Sequence, residues 1–121
     1  IRWLGFLEGE ALKDCYRQSD VFILPTREDC YGLVILEAMC ASLPVIASKY
    51  ADGAFDLMED GVHGYIVDPY DTKQLAEAID MIFSDTDRLK KMQHDCYERA
   101  GKFAIPRVAE PFYEALDAVI R

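Results

Sequence analysis

Residues 20–47 constrain the fold more than any other part of the chain. They begin with a near-continuous apolar run at 20–25, typical of a strand covered on both faces. A helical pattern follows at 31–41, and a second apolar run occupies 43–47. Pro44 stands at the start of this second run, where a strand tolerates a missing N–H. Two covered strands joined by a helix predict a parallel βαβ unit.

The flanking segments continue the alternation of strands and helices. Before the βαβ unit we expect a short strand at 1–5 and a helix from residue 8 or 10 to about 17. After it we expect a short helix at 55–59, a strand at 64–67, a helix to about residue 83 capped by Asp71 or Thr72, and a helix at 87–102. A last helix from Pro106 to the chain end would carry an apolar face of Val108, Phe112, Leu116 and Val119 or Ile120. The predicted fold is α/β, a Rossmann-like three-layer structure around a parallel sheet.

Composition and charge exclude several classes of function. A chain of 121 residues fits one domain or part of one. A net charge of -9 repels nucleic acid and anionic membrane surfaces, so neither is an expected partner. The four cysteines form no C-x-x-C pair, which favours free thiols in a reducing cytoplasm over disulfides or a metal site. No signal peptide and no 18-residue apolar run occur.

A candidate ligand site lies where the first strand of the βαβ unit passes into its helix. Ligands of parallel sheets bind at the carboxyl ends of the strands, and the loop at 25–31 lies at such an end. Gly32 lets a ligand approach the backbone closely. The free N–H groups of Gly32, Leu33 and Val34, together with the helix dipole, favour an anion such as phosphate.

Two carboxylates flank this helix start. Glu37 is the one charged residue in 32–47, and it could accept two hydrogen bonds from a vicinal diol such as a ribose. Asp29, eight positions earlier, could accept hydroxyls of a second sugar. Diol, diphosphate and diol together make the shape of a sugar nucleotide. The competing interpretation is that Asp29 only caps the helix and Glu37 only lies on a solvated face.

The same segment carries a family resemblance. Residues 29–39, continued through 48, are similar to the donor-site signature of retaining glycosyltransferases of family 4, which have the two-domain GT-B fold. That signature is an E-x(7)-E segment containing Phe-Gly or Tyr-Gly, followed by Glu-Ala-Met and a Gly-x-Pro-Val-Ile strand. Residues 3–6, 19–21, 59–64 and 68–69 match further family features in the family's order. Asp29 stands where the family has Glu, and Ser42 stands where it usually has Gly.

The resemblance implies a role for each candidate residue. Glu37 would bind the nucleotide ribose. The backbone of Gly32, Leu33 and Val34 would hold the diphosphate. Asp29 would face the transferred sugar, as the candidate catalytic residue, together with Cys30 and Tyr31. In the loops near this site the available cations are Arg27 and Lys49. The resemblance implies that the diphosphate is held instead by an Arg and a Lys from an earlier loop.

The resemblance also implies what the whole protein does. Residues 1–121 would be a partial C-terminal nucleotide-sugar-binding domain, without its first strand and helix and without the N-terminal acceptor domain that would be its partner. The parent enzyme would transfer a hexose, with retention, from a UDP-, GDP- or ADP-sugar to a hydroxyl acceptor, without a metal or other cofactor. We expect it in bacterial polysaccharide or glycoconjugate synthesis, in the cytoplasm or peripheral at the inner face of the cell membrane, and we expect this chain alone to be inactive.

Two alternatives stay open. A GT-B sugar-nucleotide epimerase shares the architecture but needs acid–base residues, which the sequence does not offer. A non-enzymatic flavodoxin-like interaction module, such as a receiver domain, needs an acidic cluster after its first strand and a Lys after a late strand. Residues 5–7 and 67–69 do not supply these.

Overall fold

Three parallel strands form the centre of the structure. The computed structural model describes residues 1–120, with the side chains of residues 1–119. Strand β1 (Phe22–Leu24) pairs with β2 (Val45–Ser48), and β2 pairs with β3 (Gly64–Val67), in both cases parallel. Strands that pair in chain order form one half of a doubly wound sheet. The predicted βαβ unit is confirmed.

Helices cover both faces of this sheet. In chain order they are α1 (Gly9–Arg17), α2 (Leu33–Cys40), α3 (Gly53–Leu57), α4 (Thr72–Phe83), α5 (Thr86–Gly101) and α6 (Ile105–Ile120). The central strand β2 is buried along its whole length because side chains on both of its faces enter a core. Val45 and Ala47 pack with residues of α2, α3 and α5, whereas Ile46 packs with Ala78 and Ile82 of α4. The predicted three-layer α/β arrangement is therefore confirmed.

The ends of the helices follow from local sequence. Asp71 caps α4, and its side chain accepts hydrogen bonds from the backbone N–H groups of Lys73 and Gln74, as predicted. At the end of α2, the Leu43 N–H bonds to the Ala38 carbonyl at 3.0 Å, and Ser42 adopts a φ of 61°. This is a Schellman motif in which a serine occupies the left-handed position that glycine favours.

The prediction of a strand at 1–5 is wrong. These residues form no regular element, and the side chains of Trp3 and Phe6 are exposed. No strand lies beside them within residues 1–120, so their backbone groups have no ladder to join. The apolar pattern of a strand is present, but a strand needs a neighbour.

Smaller shifts concern the helices. α2 begins at Leu33 instead of residue 31, and α3 lies two residues earlier than predicted. α6 begins one residue early, at Ile105. The expected apolar face of α6 is exposed at Val108, Phe112, Leu116 and Val119. The side chain of Ile120 and the whole of Arg121, which the prediction included, lie outside the described residues.

Candidate functional site

The amino end of α2 opens at the carboxyl edge of the sheet. Gly32 occupies the N-cap position of α2 in the left-handed conformation, with a φ of 76°, and among the described side chains none caps the first turn. A Cβ at Gly32 would lie 3.2 Å from the Cδ1 atom of Ile35, so glycine also suits the packing here. The Ile35 N–H bonds to the Gly32 carbonyl at 2.9 Å. The amides of Leu33 and Val34 are left in the uncapped first turn, where the helix dipole favours an anion.

Asp29 shapes the loop that leads into this helix. Its Oδ1 atom accepts a hydrogen bond from the Tyr31 N–H at 3.0 Å, which makes a local turn. Its own N–H donates to the Tyr50 carbonyl at 3.1 Å, and it forms an isolated parallel bridge with Ala51. Asp29 is half-buried, whereas Cys30 and Tyr31 are exposed. One carboxylate oxygen of Asp29 therefore orders the loop that precedes α2.

The loop that follows β2 lies directly against this one. A Cβ at Gly53 would lie only 2.0 Å from the Tyr31 carbonyl oxygen, so the two backbones touch. Buried Ser48 fixes the second loop, because its Oγ accepts a hydrogen bond from the Tyr50 N–H at 3.0 Å. Together the loops form a cleft of about 440 Å³, which we call the loop cleft. Its lining residues are Arg27, Glu28, Asp29, Cys30, Lys49, Tyr50 and Asp52.

The two cations of the loop cleft are engaged with other side chains. The Lys49 Nζ atom lies 2.6 Å from an Asp68 carboxylate oxygen. This hydrogen bond raises the pKa of Lys49 and lowers the pKa of Asp68. The Arg27 guanidinium lies 5.7 Å from the centre of the Tyr70 ring. Because Lys49 is paired with an acid, it does not supply free positive charge to the helix start.

Glu37 lies in a second depression, between α1 and α2, which we call the helix groove. This groove measures about 650 Å³. Its lining residues are Gly9, Leu12, Lys13, Tyr16, Arg17, Glu37, Cys40, Ala41 and Ser42. The Tyr16 hydroxyl donates a hydrogen bond to the Glu37 Oε2 atom at 3.1 Å. Burial, and then this hydrogen bond, raise the pKa of Tyr16 to about 12.

The predicted site residues fall into two groups, one in the loops before the amino end of α2 and one between α1 and α2. Asp29 and Cys30 line the loop cleft, and Glu37 lines the helix groove; the two depressions share no lining residue. The uncapped turn at Leu33 and Val34 lies between them, about 6 Å along the helix axis from Glu37. Tyr16 is a further member of the site that the sequence motifs do not indicate, because its partner Glu37 lies 21 positions away on another helix.

The histidines take no part in this arrangement. Buried His63 accepts a hydrogen bond at Nδ1 from the Glu59 N–H, at 2.9 Å, and so orders the turn before β3. Burial and the charge of Arg99 lower the pKa of His63. Among the residues described, no group of three or more His, Cys, Asp or Glu side chains could hold a metal ion. Within the same residues, no helix is long and apolar enough to cross a membrane.

A parallel sheet covered by helices on both faces, with a ligand-sized cleft at its carboxyl edge, defines a domain of the doubly wound α/β class. The family model for glycosyl transferases group 1 matches residues 1–103. The chain belongs to this family. Its fold is that of the C-terminal domain of GT-B glycosyltransferases, which confirms the predicted resemblance to GT-B glycosyltransferases.

Individual relatives agree with the family match. A sucrose synthase from Melioribacter roseus is 32% identical over 117 residues, which cover 93% of this chain and 14% of that protein. The crystal structure of the C-terminal domain of LpcC, a glycosyl transferase group 1 family protein from Francisella tularensis, has a TM-score of 0.73 and 30% identity, covering 82% of this chain and 51% of that one. HepE from Anabaena, solved with UDP and glucose, has a TM-score of 0.82 and 27% identity, and the match covers 97% of this chain and 32% of HepE. The chain thus spans only a part of each relative.

Proposed function

We propose that residues 1–121 are the larger part of the donor-binding domain of a retaining, family-4 glycosyltransferase. The whole protein would transfer a hexose from a nucleotide-diphosphate sugar to a hydroxyl acceptor. One observation carries the proposal: the uncapped start of α2 and the Glu37 carboxylate lie on one helix, about 6 Å apart along its axis. That spacing suits a diphosphate and the ribose attached to it. HepE, a structural neighbour, was solved with UDP and glucose, which supports the proposal.

The proposed pose places the ligand across α2. The diphosphate would accept hydrogen bonds from the Leu33 and Val34 amides, and the ribose hydroxyls would donate to Glu37 in the helix groove. The sugar would lie toward the loop cleft, near Cys30 and Tyr31. Asp29 would face it with the carboxylate oxygen that the Tyr31 N–H does not use.

Catalysis would depend on the leaving group. As the glycosidic bond breaks, negative charge develops on the diphosphate, and N–H groups fixed at a helix start stabilise that charge without reorganising. We propose that the reaction needs no metal and no other cofactor. Since Lys49 is paired with Asp68, we propose that Lys49 does not hold the diphosphate.

We propose that the protein acts in bacterial polysaccharide or glycoconjugate synthesis, in the cytoplasm or peripheral at the inner face of the membrane. Its donor would be a UDP-, GDP- or ADP-sugar, and this chain by itself would be inactive. Membership of the glycosyl transferases group 1 family favours a transferase over a flavodoxin-like interaction module or a sugar-nucleotide epimerase.

Calorimetric titration of the full-length protein with UDP, GDP and ADP tests the donor site. Replacing Glu37 by Ala removes a charged, two-point contact and should cost about 1.5–3 kcal/mol, which is roughly ten-fold or more in affinity. The matched control is Glu77→Ala, which removes an exposed carboxylate from α4 on the other face of the sheet. Unchanged affinity in Glu37→Ala would contradict the ribose role. Absence of binding by all three nucleotides would contradict the donor-binding function itself.

A further inference from the structure

Glu37 is held in the helix groove by one neighbour. The Tyr16 hydroxyl donates to its Oε2 atom at 3.1 Å, across 21 positions of sequence. Within the described side chains, no ion pair involves Glu37. The two cations that share the groove are engaged elsewhere: Lys13 lies 2.6 Å from Glu10, and Arg17 lies 2.7 Å from Asp14. A neutral hydroxyl is therefore the group that orients this carboxylate.

Tyr16 is itself fixed in place. It is half-buried near the end of α1, and its ring centre lies 5.9 Å from the ring centre of Phe22 on β1. The Ser19 N–H bonds to the Tyr16 carbonyl at 3.1 Å, which ties the end of α1 to the start of the next turn. With a pKa of about 12, the phenol stays protonated near neutral pH and donates a hydrogen bond to the carboxylate. A fixed donor can hold an otherwise exposed, flexible glutamate.

We propose that Tyr16 is a positioning residue that aims the Glu37 carboxylate at the two vicinal hydroxyls of the donor ribose; this inference rests on the proposed function. An ionised carboxylate has about four acceptor positions. Tyr16 uses one and leaves enough for both ribose hydroxyls. Because Tyr16 is uncharged, it orients Glu37 without neutralising it, so the full negative charge still faces the diol. A lysine or arginine in the same place would compete with the ligand.

The test uses a readout that only a ribose contact changes. Affinities of the full-length protein are measured for UDP, GDP and ADP and for their 2′-deoxy forms, in wild type, Tyr16→Phe, Glu37→Gln and the double variant. Removal of the Tyr16 hydroxyl should weaken binding of the ribonucleotide by roughly three- to ten-fold. It should change binding of the deoxynucleotide much less, so the preference for ribose falls. Once Glu37 is Gln, Tyr16→Phe should have little further effect, since the two residues act as one unit.

Controls separate this role from a merely structural one. Tyr113→Phe removes an exposed phenol hydroxyl from α6 and should leave the ratio of ribo- to deoxynucleotide affinity at its wild-type value. That ratio does not depend on how much of a variant is folded. Equal weakening of both ligands in Tyr16→Phe would overturn the proposal, as would tighter binding, because tighter binding means that Tyr16 competes with the ribose.

The two proposals fail in different ways. If the wild type binds none of the three nucleotides, the donor-binding function falls and the role of Tyr16 with it. If nucleotides bind and Glu37→Gln weakens them while Tyr16→Phe matches the wild type, the role of Tyr16 alone is overturned.

Discussion

Gly53 joins the two loops at the carboxyl edge of the sheet, and Gly53→Ala tests that junction. The added Cβ would lie 2.0 Å from the Tyr31 carbonyl oxygen and 3.0 Å from the carbonyl carbon. Both are backbone atoms, so no side chain can rotate out of the way. Either the loop that carries Tyr31 or the start of α3 must move. Because Asp29 is also tied to Tyr50 and Ala51, the strain falls on the whole loop cleft.

The magnitude follows from two opposing effects. Forcing extra volume into a packed site costs about 1–3 kcal/mol. Alanine gives back up to about 1 kcal/mol through its higher helix propensity at the start of α3. We therefore expect Gly53→Ala to lower the free energy of unfolding by about 1–2 kcal/mol. The control is Gly101→Ala in the last turn of α5, where an added Cβ has no neighbour within 4 Å and alanine should stabilise.

Equilibrium urea unfolding, followed by circular dichroism, measures this difference as a shift of the midpoint at constant slope. A second measurement locates the damage. If the loop at Tyr31 faces the transferred sugar, Gly53→Ala should weaken binding of UDP-glucose more than binding of UDP. Equal stability of the Gly53→Ala and Gly101→Ala variants would refute the backbone contact.

Two further predictions concern backbone strain and pH. Ser42→Gly should raise the free energy of unfolding by about 0.5–1 kcal/mol. The left-handed conformation, here with a φ of 61°, costs a non-glycine residue about 1–2 kcal/mol, and the greater chain entropy of glycine in the unfolded state cancels part of the stabilisation that its removal brings. Ser42→Ala should not be stabilised, and urea unfolding distinguishes the two variants. Burial and the charge of Arg99 lower the pKa of His63 in the folded protein from 6.5, although Asp95 and Glu59 oppose the shift. As the pH drops below 6.5, the imidazole is therefore protonated more readily in the unfolded chain than in the folded protein, and stability should fall. His63→Asn should flatten this dependence in urea titrations between about pH 7 and 5, and an unchanged slope would contradict it.

The sequence predicted those features that local patterns determine. β2 has a continuous apolar sequence because α2, α3 and α5 cover one of its faces, and α4 with Met92 of α5 covers the other. Asp71 could be recognised as a cap because the N–H groups that donate to its side chain, those of Lys73 and Gln74, are two and three residues away. In each case the physical cause lies within a few residues or follows from simple alternation, so one sequence carries it.

The errors have non-local causes. Residues 1–5 have the pattern of a strand, but strand formation depends on a pairing partner that the sequence of the segment cannot report. α2 begins two residues late because Gly32 takes the left-handed conformation and lies outside the helix. The bond between Tyr16 and Glu37 spans 21 positions, so no periodicity within either helix reveals it. The packing of Gly53 against Tyr31 was hidden in the same way.

These two hidden contacts divide the candidate site. Between α1 and α2, Tyr16 bonds to Glu37 in the helix groove; before the amino end of α2, Gly53 of α3 packs against the loop that carries Tyr31. The start of α2 lies between them and needs neither contact, because its amides are fixed by the helix itself. A single ligand that spans all three parts would therefore meet one rigid anion site, flanked by two carboxylates whose positions are set by separate parts of the fold. Changes at Tyr16 should affect recognition of the nucleoside, and changes at Gly53 should affect recognition of the sugar.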